Sequence, residues 1–364
     1  MRKAFLLIIA VCCSVMANSQ EIARWSGFRK GAASFTFDDG APCHISDVAP
    51  LFEKYGYRAT FCLVVGWNPD WSGFQTLANS GHEICSHSTS HGQNMSGEEA
   101  SSKSGINAHI NQAYGCITVA YPNCNVPNVT AVQENYIAGR ICNGSWQGMD
   151  DIMGSNGPAD WCKVSALMTG SNGLADLRQK MQEAANKTGW VVFLTHGLEG
   201  KNNGNATYSP TSVSTIESAL KWANQNDQDI WVTPFRNAAM YCKERLASSF
   251  TETARNASSV TYSLTHNIAD DVCQYDYPLS LRIFDEDRQS VSVKQGSNTL
   301  SYEIKDGYIY FDAIPNGGNI VVTTGGTGID DVFGGSHSAE KKLQDGQIVI
   351  ERNGKVYDLT GRKL

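Results

Sequence analysis

The 364-residue sequence is poor in charge: Lys, Arg, Asp and Glu together make up 18%, and the balance is −7. A phosphate backbone needs a basic surface, so a nucleic-acid partner is excluded as the main function. No Cys-x-x-Cys pair occurs, which argues against a structural zinc knuckle. Past the N-terminus, no apolar run is long enough to cross a bilayer. The sequence does have 34 glycines and 10% aromatic residues, a profile that suits a loop-rich protein with aromatic surface, as many sugar binders have.

The N-terminus reads as an export signal. Arg2-Lys3 supply positive charge, residues 4–16 an apolar stretch, and Ala17-Asn18-Ser19 small residues for cleavage. A lipoprotein reading at Cys12 or Cys13 is disfavoured, because no small Gly, Ala or Ser precedes either one. The expected location is therefore secreted, periplasmic or cell-surface. Nine cysteines remain beyond the signal, and an exported protein can pair some of them. Cys124 with Cys142 is the expected bridge. Cys62 and Cys85 lie inside apolar runs and read as small buried hydrophobes.

Short apolar runs alternate with helical spacing from about residue 31 to 244. Strands are expected at 32–37, 59–65, 83–86, 117–120, 140–142, 191–194 and 230–232. Helices are expected at 45–55, 71–80, 98–114, 129–138, 174–188, 213–226 and 235–246. Repeated strand–helix units predict an α/β fold with a parallel sheet or barrel. After about residue 248 the pattern becomes short alternating runs separated by turns, which predicts a small all-β sandwich. The expected organisation is a signal at 1–19, a barrel at 25–247, a sandwich at 256–324, and a linker and tail at 325–364. The tail, ending in Val356-Tyr357-Asp358-Leu359-Thr360-Gly361-Arg362, reads either as a sorting segment of the type IX kind or as a terminal hairpin on the sandwich.

Four of the apolar runs stop on chemically active residues. The run at 34–37 leads into Asp38-Asp39-Gly40, and that at 83–86 into His87, with His91 four residues on. The run at 117–120 leads into Tyr121-Pro122, and that at 191–194 into Thr195-His196. Polar residues just past buried parallel strands are where α/β enzymes carry their chemistry. Successive side chains of an extended chain point opposite ways, so one of the two aspartates can face a metal while the other faces substrate. Histidines at i and i+4 can converge on one cation, and a carboxylate completes a three-ligand set with open positions. Alone, Asp-Asp-Gly is more often a solvated turn, and two isolated histidines more often a loop and a core residue. The joint pattern outweighs those readings.

These motifs resemble the polysaccharide deacetylases, the family 4 carbohydrate esterases that share the chitooligosaccharide deacetylase homology domain. Thr36-Phe37-Asp38-Asp39-Gly40 matches the first family motif. His87-Ser88-Thr89-Ser90-His91 matches the second and Leu194-Thr195-His196 the fifth; Tyr121-Pro122 and Asp160-Trp161 stand where the third and fourth belong. The resemblance spans roughly residues 31–245. It implies a distorted (β/α) barrel and a divalent metal, most commonly Zn2+, with Co2+, Ni2+ and Mn2+ as alternatives, held by Asp39, His87 and His91. It also implies Asp38 as base, His196 as general acid oriented by Asp160, and the Asn123 backbone N–H as oxyanion donor. Tyr121, Pro122, Trp161 and Leu194 would form the substrate pocket. The sequence departs from the pattern at Ala120, where the family carries an Arg that braces the base; Arg140 or Arg236 are the candidates to replace it from another strand. The expected activity is N-deacetylation of an acetylated oligo- or polysaccharide by a monomer. An O-acetyl esterase of xylan type is the alternative, and a non-catalytic glycan-binding protein the reading of another class.

Overall fold

The computed structural model describes residues 20–256, 258–269, 271–284, 291–324, 340–344, 347–352 and 355–357. The expected signal, the glycine-rich link at 325–328 and the last seven residues lie outside them. β1 (Gln20–Ile22) comes first, and a parallel sheet follows: β2 (Gly31–Phe37), β3 (Thr60–Leu63), β4 (Glu83–Ser86), β5 (Thr118–Ala120), β6 (Ala138–Arg140), β7 (Leu167–Met168), β8 (Trp190–Thr195) and β9 (Ile230–Val232). The order is β6-β5-β4-β3-β2-β8-β7, with β9 paired to the start of β2. Seven helices separate these strands and follow the last: α1 (Ala49–Lys54), α2 (Trp71–Asn79), α3 (Glu99–His109), α4 (Val129–Asn135), α5 (Leu177–Asn186), α6 (Val213–Gln225) and α7 (Phe235–Ala247). Local sequence sets several of their starts. Asp70, Asn128, Asp176 and Ser212 each accept a hydrogen bond from an N–H of the first turn of α2, α4, α5 and α6.

Every residue of β2 and β8 is buried, as expected for strands covered on both faces. The sheet curls into a distorted barrel. Residues 161–168 bridge its open side: Ile141 N–H donates to Val164 O and Asn143 N–H to Ala166 O, while β7 pairs with β8.

The remaining described strands are antiparallel: β10 (Ser249–Arg255), β11 (Ser259–Thr265), β12 (Leu279–Phe284), β13 (Val291–Gln295), β14 (Asn298–Leu300), β15 (Tyr302–Lys305), β16 (Tyr308–Ala313) and β17 (Ile320–Thr324). They form one sheet in the order β1-β12-β16-β15 and a second in the order β10-β11-β17-β13-β14. Inward residues of both, among them Leu281, Ile309, Val293 and Val322, share one apolar core with α7. The sandwich thus takes strands from before residue 25 and before residue 256. Neither β1 nor β10 announces itself, since β10 is almost wholly exposed and lacks apolar alternation. At the end of the chain, β18 (Glu340–Gln344), β19 (Gln347–Arg352) and β20 (Lys355–Tyr357) pair as a separate three-stranded antiparallel sheet.

Two disulfides are present. Cys124–Cys142 is the expected one; Cys62–Cys85 corrects the reading of those two residues as unpaired hydrophobes. Cys62 and Cys85 are direct partners in the parallel register of β3 and β4, a neighbour relation that only sheet order reveals. Cys43, Cys116, Cys162 and Cys242 are buried and unbridged.

Candidate metal centre and active site

The chemistry-bearing residues gather at the carboxyl ends of the parallel strands, where chain direction brings every strand-to-helix turn to one rim. Asp38 and Asp39 follow β2, His87 follows β4, Tyr121 and Asn123 follow β5, Arg140 ends β6, and His196 follows β8. Together they line a cavity of about 400 Å³, apart from Arg140, which lies buried behind Asp38. The backbone there is held in unusual conformations: Asp39, Ser88, His91 and Asn123 have φ of 74°, 71°, 55° and 52°. Non-glycine residues at positive φ carry strain that the surrounding structure must offset, and such positions cluster at functional sites.

Asp39, His87 and His91 each offer a ligand atom, and the three atoms lie within 4.8 Å of one another. Asp39 Oδ1 is 3.5 Å from His87 Nε2 and 3.4 Å from His91 Nε2. His87 Nδ1 donates to Ala120 O at 2.8 Å, which fixes the tautomer and turns the Nε2 lone pair toward Asp39. Asp39 Oδ1 is buried and has no hydrogen-bond partner. A buried carboxylate oxygen facing imidazole lone pairs is costly by itself, and a cation among them removes the cost. The donor set therefore fits a divalent metal bound by one carboxylate and two imidazoles.

Asp38 is in a different electrostatic position. Arg140 Nη2 contacts both of its oxygens, at 2.7 and 2.5 Å, and both residues are buried. Burial pushes the Asp38 carboxyl up, but Arg140, with His87 and His196, outweighs it and holds the group below the usual carboxylate range. Arg140 thus supplies, from β6, the charge missing at Ala120. Arg236 does not: it contacts Gln112 and Ala113 elsewhere. For Asp39, burial and the adjacent Asp38 charge push the carboxyl up to about 7 in the absence of a cation; a bound cation reverses that preference. Burial lowers His87 to about 4 and also lowers His196.

His196 turns its ring toward the cavity. Its carbonyl accepts from His44 Nε2 at 2.9 Å, while His44 Nδ1 accepts from Ala41 N–H. The buried His44 ring thereby ties the turn after β2 to the turn after β8. His196 Nδ1 is buried without a hydrogen-bond partner. Asp160 does not orient it. Asp160 Oδ1 accepts from Cys162 N–H, and Asp160 and Trp161 line a separate cavity with Lys243, whose ammonium sits 4.5 Å from the Trp161 ring. The reason is direction. Residues 161–168 run parallel to the barrel strands, so Asp160 and Trp161 enter that segment at the far end from the rim, and Met168, near its end, reaches the cavity. Nor do Pro122 and Leu194 line the cavity; both are buried.

Two cavity residues carry no sequence signal. Trp67 stacks on His91 at 4.9 Å, and Tyr208 meets His196 edge-on at 5.5 Å. Tyr208 sits in a polar loop without periodicity, so only the folded rim shows its role. Asn123 Nδ2 donates to Gly92 O, and the Cys124–Cys142 bridge fastens the same turn to the end of β6.

Comparison with known proteins adds to this geometry. Residues 26–129 match the family model described as polysaccharide deacetylase; Asp38, Asp39, His87, His91 and Asn123 fall inside the match, Arg140 and His196 beyond it. A gellan lyase from Bacillus sp. is 25% identical over 350 residues, covering 89% of this chain and 14% of that protein. The chain thus spans about a seventh of the length of that relative. Among solved structures, the family 4 carbohydrate esterase domain of a multidomain xylanase from the hindgut metagenome of Trinervitermes trinervoides is 20% identical, covering 57% of this chain and 89% of that one at a TM-score of 0.35. A family 4 acetyl xylan esterase from Clostridium thermocellum, in complex with cobalt, is 18% identical with the same coverages and a TM-score of 0.34. A family pseudoenzyme from Bacillus anthracis is 16% identical, covering 58% and 66% at a TM-score of 0.36.

Proposed function

We propose that this chain, whose residues 26–129 match the polysaccharide deacetylase family model, is a metal-dependent hydrolase that removes N-acetyl groups from a glycan. The observation that carries this reading is one convergence: Asp39, His87 and His91 meet around a buried, unpartnered carboxylate oxygen, beside a second carboxylate held ionised by Arg140. Those three residues would hold a divalent cation, zinc first, which would lower the pKa of a bound water and offer positive charge at the reacting carbonyl. Asp38, kept ionised, takes the proton of the attacking water. Asn123 lines the cavity, and its backbone N–H is the proposed donor to the oxyanion. His196, its backbone held by the His44 hydrogen bond and its ring on the cavity wall, delivers a proton to the departing amine. Trp67 and Tyr208 flank the cavity as flat surfaces for sugar rings.

The same proposal includes export, supported by the N-terminal signal pattern and by two disulfides, which persist in oxidising compartments. Among the described residues no helix is long and apolar enough to cross a membrane.

Acetate release from a panel of N-acetylated and O-acetylated oligosaccharides, with zinc-loaded and chelator-treated protein, tests the function. Zinc-dependent acetate from N-acetylated substrates is expected. Release from O-acetylated xylan alone moves the activity to ester hydrolysis. A protein that binds zinc and frees acetate from nothing overturns catalysis and leaves a glycan-binding role.

A further inference from the structure

A second cleft, of about 500 Å³, opens on the outer face of the sheet β1-β12-β16-β15 and is independent of the catalytic reading. It is built from two parts of the chain. Phe28, from the single turn before β2, leans edge-on against Tyr310 at 5.1 Å, and the Arg282 guanidinium lies 5.0 Å from the Phe28 ring and 4.6 Å from Tyr308. Glu303 comes from the exposed edge strand β15 and stands beside Tyr310 on the same face. Aromatic side chains on the solvent face of a sheet bury no core, and their clustering in a concave site is the arrangement that marks ligand binding.

We propose that this cleft binds a segment of a neutral or amino-sugar glycan. Sugar rings present flat C–H faces and a rim of hydroxyls. Phe28 and Tyr310 supply the flat surfaces, while Glu303, Asp306 and Asp312 supply acceptors along the same cleft. Three carboxylates stand against two cations there, Arg282 and Lys305, and Arg282 is already paired with Glu21 at 2.5 Å. That balance disfavours a polyuronate and tolerates an ammonium. The cleft also lies away from the metal centre. Phe28 and Gln228 border it just before β2 and β9, at the amino ends of the barrel strands, whereas the metal ligands sit at the carboxyl ends. The seven residues of β2 separate the two levels by about 20 Å at ~3.3 Å per residue. The cleft thus holds polymer as an anchor and does not extend the catalytic cavity.

Isothermal titration of the full chain carrying Asp38→Ala, with chitotetraose, its deacetylated form, xylotetraose and a tetragalacturonate, tests this. Phe28→Ala and Tyr310→Ala are expected to weaken binding of at least one of the first three ligands by roughly tenfold, the scale of a lost aromatic contact. Glu303→Ala, at an exposed edge position paired with Tyr310 on the cleft face, is expected to weaken the same binding, and with Asp38 intact it leaves acetate release from a short soluble substrate unchanged. Binding of every ligand unaltered by all three substitutions, or tetragalacturonate as the tightest ligand, overturns the proposal. Loss of cleft binding with no acetate release from any substrate sinks only the catalytic reading.

Discussion

Asp38 and Asp39 are adjacent in the chain, yet their surroundings push their carboxyls in opposite directions. Arg140 holds Asp38 low, while Asp39, without a guanidinium of its own, is pushed up to about 7 unless a cation takes the place of a proton. Different roles follow, and they are separable by mutation. Asp38→Asn is expected to lower kcat by about 10²- to 10⁴-fold, the usual worth of a general base, while retaining metal. His87→Ala is expected to lose metal and turnover together, as read by metal analysis of the purified protein. Arg140→Met leaves a buried carboxylate unpaired. Its expected cost is about 3–5 kcal/mol of stability, recovered in part in the Asp38→Asn/Arg140→Met double variant, which no longer buries a lone charge. Any activity left in Arg140→Met should have its acidic limb at higher pH, because Asp38 must ionise without its cation. An unmoved limb in the pH profile of kcat/KM would remove Asp38 from the base role.

At the scale of the element, the rim depends on how β5, β6 and the segment 161–168 fit together. Gly139, in the middle of β6, is where Tyr121 crosses: a Cβ there would stand 1.9 Å from the Tyr121 hydroxyl, which donates to Cys162 O at 2.8 Å. Gly139→Ala therefore forces apart the turn carrying Asn123 and the strand carrying Arg140. Overpacking of this kind costs about 1–3 kcal/mol, measurable by denaturant unfolding, and should depress kcat beyond the loss of folded protein. These relations also mark what local pattern could and could not reveal. The burial of β2 and β8 and the amphipathic spacing of α5 and α6 are visible in the chain. The placement of Asp160 and Trp161 is not visible in the chain, because a short motif does not say at which end of a stave it enters the barrel.

Across the whole molecule, the first described strand is locked into the sandwich that follows the barrel. β1 pairs with β12, and Glu21 holds Arg282, so the sandwich is completed by residues that precede the barrel. A fragment beginning at residue 256 lacks both β1 and β10 and is expected to remain unfolded by circular dichroism, whereas the chain from residue 20 folds cooperatively. Acid is expected to weaken the fold as well. Burial lowers His44 to about 4 against an ordinary 6.5, so the unfolded chain takes up protons first. Stability is full above pH 6.5 and is lost progressively as pH falls toward 4, by roughly 3 kcal/mol from His44 alone. His82, also buried and lowered to about 4, adds in the same direction. A melting temperature flat between pH 7 and pH 4.5 contradicts this.

By itself the sequence determined the class of the fold and the candidate ligand trio Asp39, His87 and His91. Strand periodicity is local, and a parallel strand must deliver its following residues to one rim, so Asp38, Asp39, His87, His91 and His196 are readable as neighbours from the chain alone. Only the tertiary structure decided which arginine braces Asp38, that Cys62 faces Cys85, that Trp67 and Tyr208 flank the cavity, and that Asp160 lies elsewhere. Those are relations between strands distant in sequence, fixed by sheet order and register, and no local pattern of residues encodes them.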